Sequence, residues 1–145
     1  MVLFLTANIV VVIYDPFEIP ILQEIGWAVF VLGFLVLIYV ALYLRSGFFG
    51  ATDPNLGHLI TKGPYAFCRH PLYVSFLVIM IGMDLIFRSP TGLIFTFLLS
   101  LPSAVYRARI EDKLLRAKFG EEWDRYARKV GFMLPKLSRE APRVD

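Results

Sequence analysis

The sequence has little of several features that define common soluble protein classes. Its 145 residues contain one cysteine, Cys68, and two histidines. One cysteine cannot form an intrachain disulfide, and these few side chains match no zinc-site spacing, so no metal site is expected. No phosphate-binding loop, nucleophile elbow or dinucleotide fingerprint occurs. No alternation of strand and helix patterns occurs either, which excludes a Rossmann domain.

Basic side chains of Lys and Arg are missing from the first 44 residues. No Lys or Arg precedes Arg45, so the start lacks the basic segment of a signal peptide. Apolar residues make up 57% of the chain, and the mean hydropathy is +0.63, whereas soluble domains are about 45–50% apolar. The length allows one domain. Because the apolar residues lie in blocks, the sequence predicts an all-α integral membrane protein.

Four apolar blocks predict about four transmembrane helices, at residues 2–14, 21–44, 71–87 and 91–106. As a helix the first block is about 20 Å long at roughly 1.5 Å per residue, which is short of the roughly 30 Å hydrocarbon core. The second is about 36 Å long and crosses with some tilt. A tight turn at residues 88–90 makes the last two blocks a helical hairpin. Asp84, near the far end of the third block, is interpreted as an interfacial or helix-packing residue.

The helical pattern continues beyond the fourth block. Residues 104–119 keep helical periodicity, with Pro102 expected to kink the helix just before them. Gly120 then breaks it. A second short amphipathic helix is predicted from the spacing of Trp123, Tyr126, Ala127 and Val130 and ends near Gly131. We expect these short helices to lie on the membrane surface or to cover the loop at residues 45–70.

The distribution of charge gives an orientation. Eleven of the fifteen Lys and Arg and seven of the twelve acids lie from Val105 onwards. The loop at residues 45–70 carries three basic residues against one acid. The positive-inside rule therefore places this loop and the C-terminus in the cytoplasm. With four spans the N-terminus is cytoplasmic, and with three it is outside. Membrane lipids are favoured as partners over nucleic acid, because acids interleave the basic residues.

Two polar clusters lie where a predicted span meets water. In the first, His70 is at the N-terminal edge of the third span, where unpaired N–H groups favour an anionic group, and Tyr73 follows one turn later. In the second, Arg107 and Glu111 are four residues apart and share a helix face. Each cluster also has a plainer interpretation, as an interfacial belt that anchors the helix and as a solvated ion pair.

The order of these elements resembles a known superfamily. The elements are Gly63-Pro64-Tyr65, Arg69-His70-Pro71-Leu72-Tyr73, Arg107, Glu111-Asp112, Phe119-Gly120-Glu121-Glu122-Trp123, Tyr126, Val130 and Pro135. They resemble the isoprenylcysteine carboxyl methyltransferase and phospholipid methyltransferase superfamily over residues 57–135. That superfamily usually has Glu where this chain has Asp112, and often Tyr where it has Trp123. The first departure leaves the role of Asp112 open.

The resemblance implies S-adenosylmethionine as cofactor and a single domain over residues 1–145. Residues 1–44 would form the first spans, 45–70 a cytoplasmic cofactor loop, 71–106 the hairpin and 107–135 cytoplasmic helices that cover the cofactor. The aromatic packing of that cover is expected from Phe119, Trp123 and Tyr126. Arg107 is expected to bind a substrate carboxylate, and Arg107 and Glu111 to form the catalytic pair. The implied cofactor contacts are His58, Leu59, Ile60, Tyr65, His70, Pro71, Leu72, Tyr73 and Glu111.

The implied activity is methyl transfer to a lipid-linked acceptor that enters from the bilayer, foremost the carboxylate of an isoprenylcysteine-like substrate. A phospholipid N-methyltransferase is an alternative, with Glu111 as the base that an amine acceptor needs. A membrane reductase of the sterol reductase type is another. The non-enzymatic alternative is a membrane scaffold whose basic tail binds anionic lipid. The sequence leaves the identity of the acceptor open.

Overall fold

The computed structural model describes residues 20–45 and 59–136. The regular elements within these residues are all helical, which confirms the predicted all-α class. The predicted span at residues 2–14 lies outside the described residues, as does His58. The helices are α1 (Pro20–Arg45), α2 (Pro71–Ile86), α3 (Pro90–Phe95), α4 (Leu101–Phe119) and α5 (Glu121–Lys129); a 3-10 turn (Gly63–Ala66) precedes α2, and a π turn (Thr96–Ser100) joins α3 to α4.

Helix α1 corresponds to the predicted second span. Its segment Ile21–Leu44 is long and apolar enough to cross a membrane, and only 17% of its most apolar window is buried within the protein. Large apolar side chains such as Leu32, Leu35 and Leu42 are therefore exposed. A helix that is apolar on all sides is stable in this state when lipid surrounds it.

Glycines bring α1 and α2 into close contact. A Cβ atom added at Gly26 would lie 2.5 Å from the backbone nitrogen of Ile86, and one added at Gly82 would lie 2.6 Å from the backbone nitrogen of Phe30. Real Cβ contacts are longer than this, so the backbones pack at a distance that a side chain would prevent. Small residues at such crossings are typical of helix pairs in membranes, where close packing replaces the hydrophobic effect.

Polar side chains fasten the turn of the hairpin between α2 and α3. Ser89 caps α3 by accepting a 3.0 Å hydrogen bond from the backbone N–H of Gly92, and Pro90 follows at the first helical position. Thr96 Oγ1 donates a 2.7 Å hydrogen bond to Asp84 Oδ2, and both side chains are buried. Asp84 is thus a helix-packing residue, since its side chain is enclosed between the hairpin helices.

Helices α3 and α4 continue through the π turn as one helical element of 30 residues, Pro90–Phe119. The beginning of this element is apolar and its end is polar. This confirms that the predicted fourth span extends as a helix to residue 119. The irregularity expected at Pro102 takes the form of the π turn just before it, where the N–H of Leu101 bonds to the carbonyl of Thr96. By contrast, α2 has 16 residues and is about 24 Å long, shorter than the hydrocarbon core.

The chain reverses at Gly120 and then packs α5 back against the preceding elements. Gly120 has φ +52°, a left-handed conformation that favours glycine. Trp123, Tyr126 and Val130 form a buried cluster, onto which Leu59, Leu115, Phe119 and Ala127 pack. The predicted apolar stripe of this short helix is confirmed, although the helix ends at Lys129. We call residues 121–134 the C-terminal cover.

Candidate functional site

The first part of the site is the junction between the 3-10 turn and α2. Gly63 has φ +63°, and a Cβ there would collide with the ring of Tyr43, so the turn lies directly against α1. Pro64 occupies the start of the turn and Pro71 the first position of α2. Between them the chain delivers His70 to the interior, where only 3% of its surface is exposed.

Two consecutive loop residues meet two consecutive residues of α4. His70 Nε2 is 2.7 Å from Asp112 Oδ1, and His70 Nδ1 is 3.8 Å from Glu111 Oε2. The second oxygen of Asp112 is 3.1 Å from the NH1 of Arg69. The carboxylate of Asp112 therefore contacts both neighbouring loop side chains, one through each oxygen.

Tyr73 links Arg107 to Glu111. Its hydroxyl interacts with the side chains of Arg107 and Glu111. Its ring also packs edge-on against His70, with the centroids 5.8 Å apart. Arg107 and Glu111 do share a face of α4, as predicted. Their spacing on the helix is one link between them. Tyr73 of α2, which interacts with both side chains, is a second.

The C-terminal cover closes over this cluster. The guanidinium of Arg69 lies 5.7 Å from the ring centroid of Trp123 and 5.5 Å from that of Phe132. The ring of Phe132 is also 5.0 Å from that of His70. The backbone N–H of Arg69 donates to the carbonyl of Gly131 at 2.9 Å, beside a short bridge between Cys68 and Gly131. Cation–π and backbone contacts together hold the cover against the loop.

Burial sets the protonation of three groups where the cover meets the loop. It is the main cause that raises the pKa of Tyr65 and of Tyr126, with a further contribution from the charge of Glu111 at Tyr65. Burial also raises the pKa of Cys68, although a backbone hydrogen bond at His70 opposes the shift. All three groups are protonated at neutral pH, so the Tyr126 hydroxyl retains the hydrogen that it donates to the carbonyl of Tyr65 at 2.7 Å.

The structure brings most of the predicted site residues to one end of the hairpin. Tyr65, His70, Tyr73, Arg107 and Glu111 all belong to the cluster described above. Leu59 instead packs on the aromatic cluster of the cover. Pro71 is buried as the first residue of α2, while Ile60 and Leu72 are partly buried. Their roles as cofactor contacts stay predictions.

Three contributors were not assigned a role from the sequence. They are Arg69, Asp112 and Phe132, which surround His70. The sequence did contain a signal for Arg69 and Asp112. Two adjacent basic residues in the loop and two adjacent acids in the helix form ion pairs readily when the two segments are neighbours. Phe132 gave no signal, since a lone aromatic after a helix has no distinctive spacing.

Comparison with known proteins gives the family. The family model described as phospholipid methyltransferase matches residues 21–122, more than half of the chain. The chain therefore belongs to the phospholipid methyltransferase family. This places it in the superfamily that also holds the isoprenylcysteine carboxyl methyltransferases, as the resemblance indicated.

Two curated relatives illustrate the similarity. A nickel-cobalt-cadmium resistance protein of Alcaligenes xylosoxydans xylosoxydans is 41% identical over 83 residues, which cover 55% of this chain and 37% of that protein. The protein-S-isoprenylcysteine O-methyltransferase of Tribolium castaneum is 31% identical over 121 residues, covering 81% of this chain and 43% of that enzyme. The chain thus spans less than half the length of these relatives.

A solved structure is similar over nearly the whole chain. It is that of a eukaryotic intramembrane Ras methyltransferase, isoprenylcysteine carboxyl methyltransferase. The TM-score is 0.75 at 26% identity, and the match covers 93% of this chain and 52% of that one. The similarity and the apolar helices together identify an all-helical integral membrane protein.

Proposed function

We propose that this protein transfers a methyl group from S-adenosylmethionine to a lipid-linked acceptor at the membrane, and that the acceptor group is a carboxylate, as in an isoprenylcysteine. The observation that carries the proposal is the hydroxyl of Tyr73, which joins Arg107 to Glu111 beside the buried ring of His70. This places a cation and an anion at the end of a membrane hairpin, where a lipid-borne group and a soluble cofactor can meet.

The residues present fit the amino-acid end of the cofactor. That end carries a carboxylate and an ammonium group. The backbone N–H groups of Leu72 and Tyr73 lie in the first turn of α2, where helical N–H groups lack intrahelical partners and favour an anion. Glu111, with 23% of its side chain exposed, supplies a carboxylate for the ammonium group. When bound, the cofactor supplies an electrophilic methyl group on a sulfonium.

Arg107 is assigned to the acceptor. It is exposed on α4, and it begins the polar part of a helix whose preceding residues are apolar. A guanidinium binds a carboxylate through two parallel charge-assisted hydrogen bonds, which fixes both position and direction. The hydroxyl of Tyr73 interacts with this guanidinium and helps to hold it in place. Alignment is the main requirement of a displacement at carbon, and positioning of this kind supplies it.

A carboxylate acceptor needs no general base, because it is ionised at neutral pH. The surroundings of Glu111 agree with a role in binding and orientation, because its side chain interacts with Tyr73 and lies near His70. The C-terminal cover would exclude water from the reacting groups, since its aromatic side chains pack over the loop that holds them. We propose that this face is cytoplasmic, which gives the soluble cofactor access.

The test is methyl transfer by the purified protein in lipid nanodiscs. Cofactor labelled with tritium in the methyl group would be offered with a farnesylcysteine derivative, with phosphatidylethanolamine or with no added acceptor. We expect label in the farnesylcysteine product, released as methanol by mild base because the product is a methyl ester. Base-stable label in phospholipid would favour N-methylation. No transfer, together with no heat of cofactor binding in calorimetry, would overturn the proposal.

A matched pair of variants connects the result to the site. Arg107→Ala removes the proposed carboxylate ligand, and we expect kcat/KM for the acceptor to fall by about tenfold or more, as for loss of a charged hydrogen bond. Arg109→Ala removes an exposed arginine two positions away on the same helix. It lowers the basic charge by the same amount. If both variants lost the same activity, Arg107 would have no specific role.

A further inference from the structure

The carboxylate of Asp112 lies at the centre of the site without a role in the proposed reaction. Its two oxygens are used separately: Oδ1 faces His70 Nε2 at 2.7 Å, and Oδ2 faces the NH1 of Arg69 at 3.1 Å. Its side chain is 17% exposed, and that of His70 is 2% exposed. A short contact between two largely buried groups constrains both of them strongly.

This contact favours hydrogen on one nitrogen of the His70 ring over the other. An ionised carboxylate has no hydrogen to donate, so the hydrogen of the 2.7 Å contact belongs to Nε2. In the neutral ring Nδ1 is then an acceptor. Nδ1 lies 3.8 Å from Glu111 Oε2, and these two acceptors face each other across a gap that a bound donor can bridge. The orientation of the ring therefore matters for binding at Glu111.

Arg69 connects this arrangement to the C-terminal cover. Its guanidinium contacts the rings of Trp123 and Phe132, and its backbone bonds to Gly131. The same guanidinium fixes the second oxygen of Asp112, which prevents rotation of the carboxylate. Closure of the cover and orientation of the His70 ring thus depend on one carboxylate.

We propose that Asp112 is a positioning residue: Arg69, held by the cover, fixes the Asp112 carboxylate, and this carboxylate holds the His70 ring with hydrogen on Nε2 and with Nδ1 turned toward Glu111. The use of Nδ1 and Glu111 in cofactor binding rests on the proposed function. The state of the ring does not, so the two can be tested separately.

A purely structural role for Asp112 makes a different prediction. An ordinary ion pair between the loop and α4 would contribute to stability, and its loss would lower the stability while the His70 ring kept its native hydrogen pattern. The chain offers a matched control in Asp124, which pairs with Arg116 at 2.9 Å between α5 and α4 and lies at the surface. Asp124→Asn removes an aspartate–arginine pair that does not involve His70.

The decisive experiment is nitrogen NMR on protein labelled with 15N-histidine in detergent micelles. His70→Gln assigns the His70 signals, since the chain has two histidines. We expect the native protein to show hydrogen on Nε2, Asp112→Asn to show a mixture of tautomers, and Asp112→Glu to restore the native pattern. Asp124→Asn should be indistinguishable from the native protein. A native pattern in folded Asp112→Asn would overturn the proposal.

Arg69→Lys serves if Asp112→Asn does not fold. It keeps the charge but loses the planar fork that fixes the carboxylate, so we expect a partial change in the His70 signals with the fold intact. An unchanged His70 pattern in Arg69→Lys would contradict the link to the cover. Near-ultraviolet circular dichroism would establish that each variant is folded.

Kinetics give an independent measurement. In the transfer assay we expect Asp112→Asn to raise KM for the cofactor by about tenfold, with a smaller fall in kcat. Asp112→Glu should recover most of this loss. If no acceptor is methylated by the native protein, the proposed function fails while the NMR result still decides the role of Asp112. If transfer occurs but the ring state does not change, only the role of Asp112 fails.

Discussion

The hydroxyl of Tyr126 donates a 2.7 Å hydrogen bond to the backbone carbonyl of Tyr65, a residue 61 positions earlier in the chain. This bond attaches the C-terminal cover to the 3-10 turn at the start of the site. Tyr126 is 7% exposed, so its hydroxyl has little access to water as an alternative partner. Loss of this bond should therefore loosen the cover without removing any group that would contact a ligand.

Tyr126→Phe should lower thermal stability in detergent. A buried hydrogen bond contributes about 0.5–1.5 kcal/mol, and the carbonyl left behind adds a further cost. The midpoint of thermal unfolding should fall by several degrees, measured by reaction of the unfolding protein with a thiol-reactive dye. Tyr106→Phe is the control, because Tyr106 is 67% exposed. Equal midpoints for both variants would show that the bond is not formed in the protein.

Cys68 should react slowly with maleimide at neutral pH. It is buried beside Gly131, and burial raises the pKa of its thiol. A raised pKa lowers the thiolate fraction at every pH below it, and the thiolate is the reactive form. The rate should rise only at a higher pH than for a free cysteine, and denaturation should restore the ordinary rate. Fast labelling of the folded protein at pH 7 would mean that the cover is open in solution.

Gly82→Ala should destabilise the pair of helices α1 and α2. The added methyl group would lie 2.6 Å from the backbone of Phe30, and a backbone cannot move aside as a flexible side chain does. We expect a loss of about 1–3 kcal/mol, typical of overpacking, seen as a lower unfolding midpoint. Leu32→Ala, at an α1 position that is 60% exposed, is the control. A stable Gly82→Ala protein would indicate that the helices cross at a greater distance.

Thr96→Val should destabilise the turn of the hairpin. Valine keeps the shape of threonine but lacks the hydroxyl that donates to Asp84 Oδ2. The loss of a buried hydrogen bond to a carboxyl group should cost about 1.5–3 kcal/mol, and Thr96→Ser should recover most of it. The measurement is again the unfolding midpoint. No difference between the valine and serine variants would contradict the importance of this bond.

The helices could be predicted from the sequence because their signals are local. Apolar periodicity, Pro71 at a helix start, the turn at residues 88–90 and Gly120 at a helix end define the described elements to within a few residues. The short helix after Gly120 was predicted from the spacing of Trp123 and Tyr126, but its end was placed two residues too late. Helix ends depend on weak competing bonds, which the sequence does not display.

The site was predicted in part, because its residues come from separate segments. His70, Tyr73, Arg107 and Glu111 were identified by their positions at membrane boundaries and by resemblance. The contact between Tyr73 and Arg107 depends on the distance between α2 and α4, which no local pattern gives. For the same reason Asp112 had no assigned partner, although its partner His70 was a candidate and its other partner, Arg69, precedes His70 in the loop.

The π turn at Thr96–Ser100 determines the direction, around the axis of α4, in which the site residues of that helix point. A π turn holds one more residue than an α-helical turn, and successive residues in an α-helix differ by about 100° around the axis. Deletion of one residue there, with a return to regular α-helix, would rotate Arg107, Glu111 and Asp112 by about that angle, away from His70. One irregular turn within the helical element Pro90–Phe119 thus decides which face of α4 meets the loop.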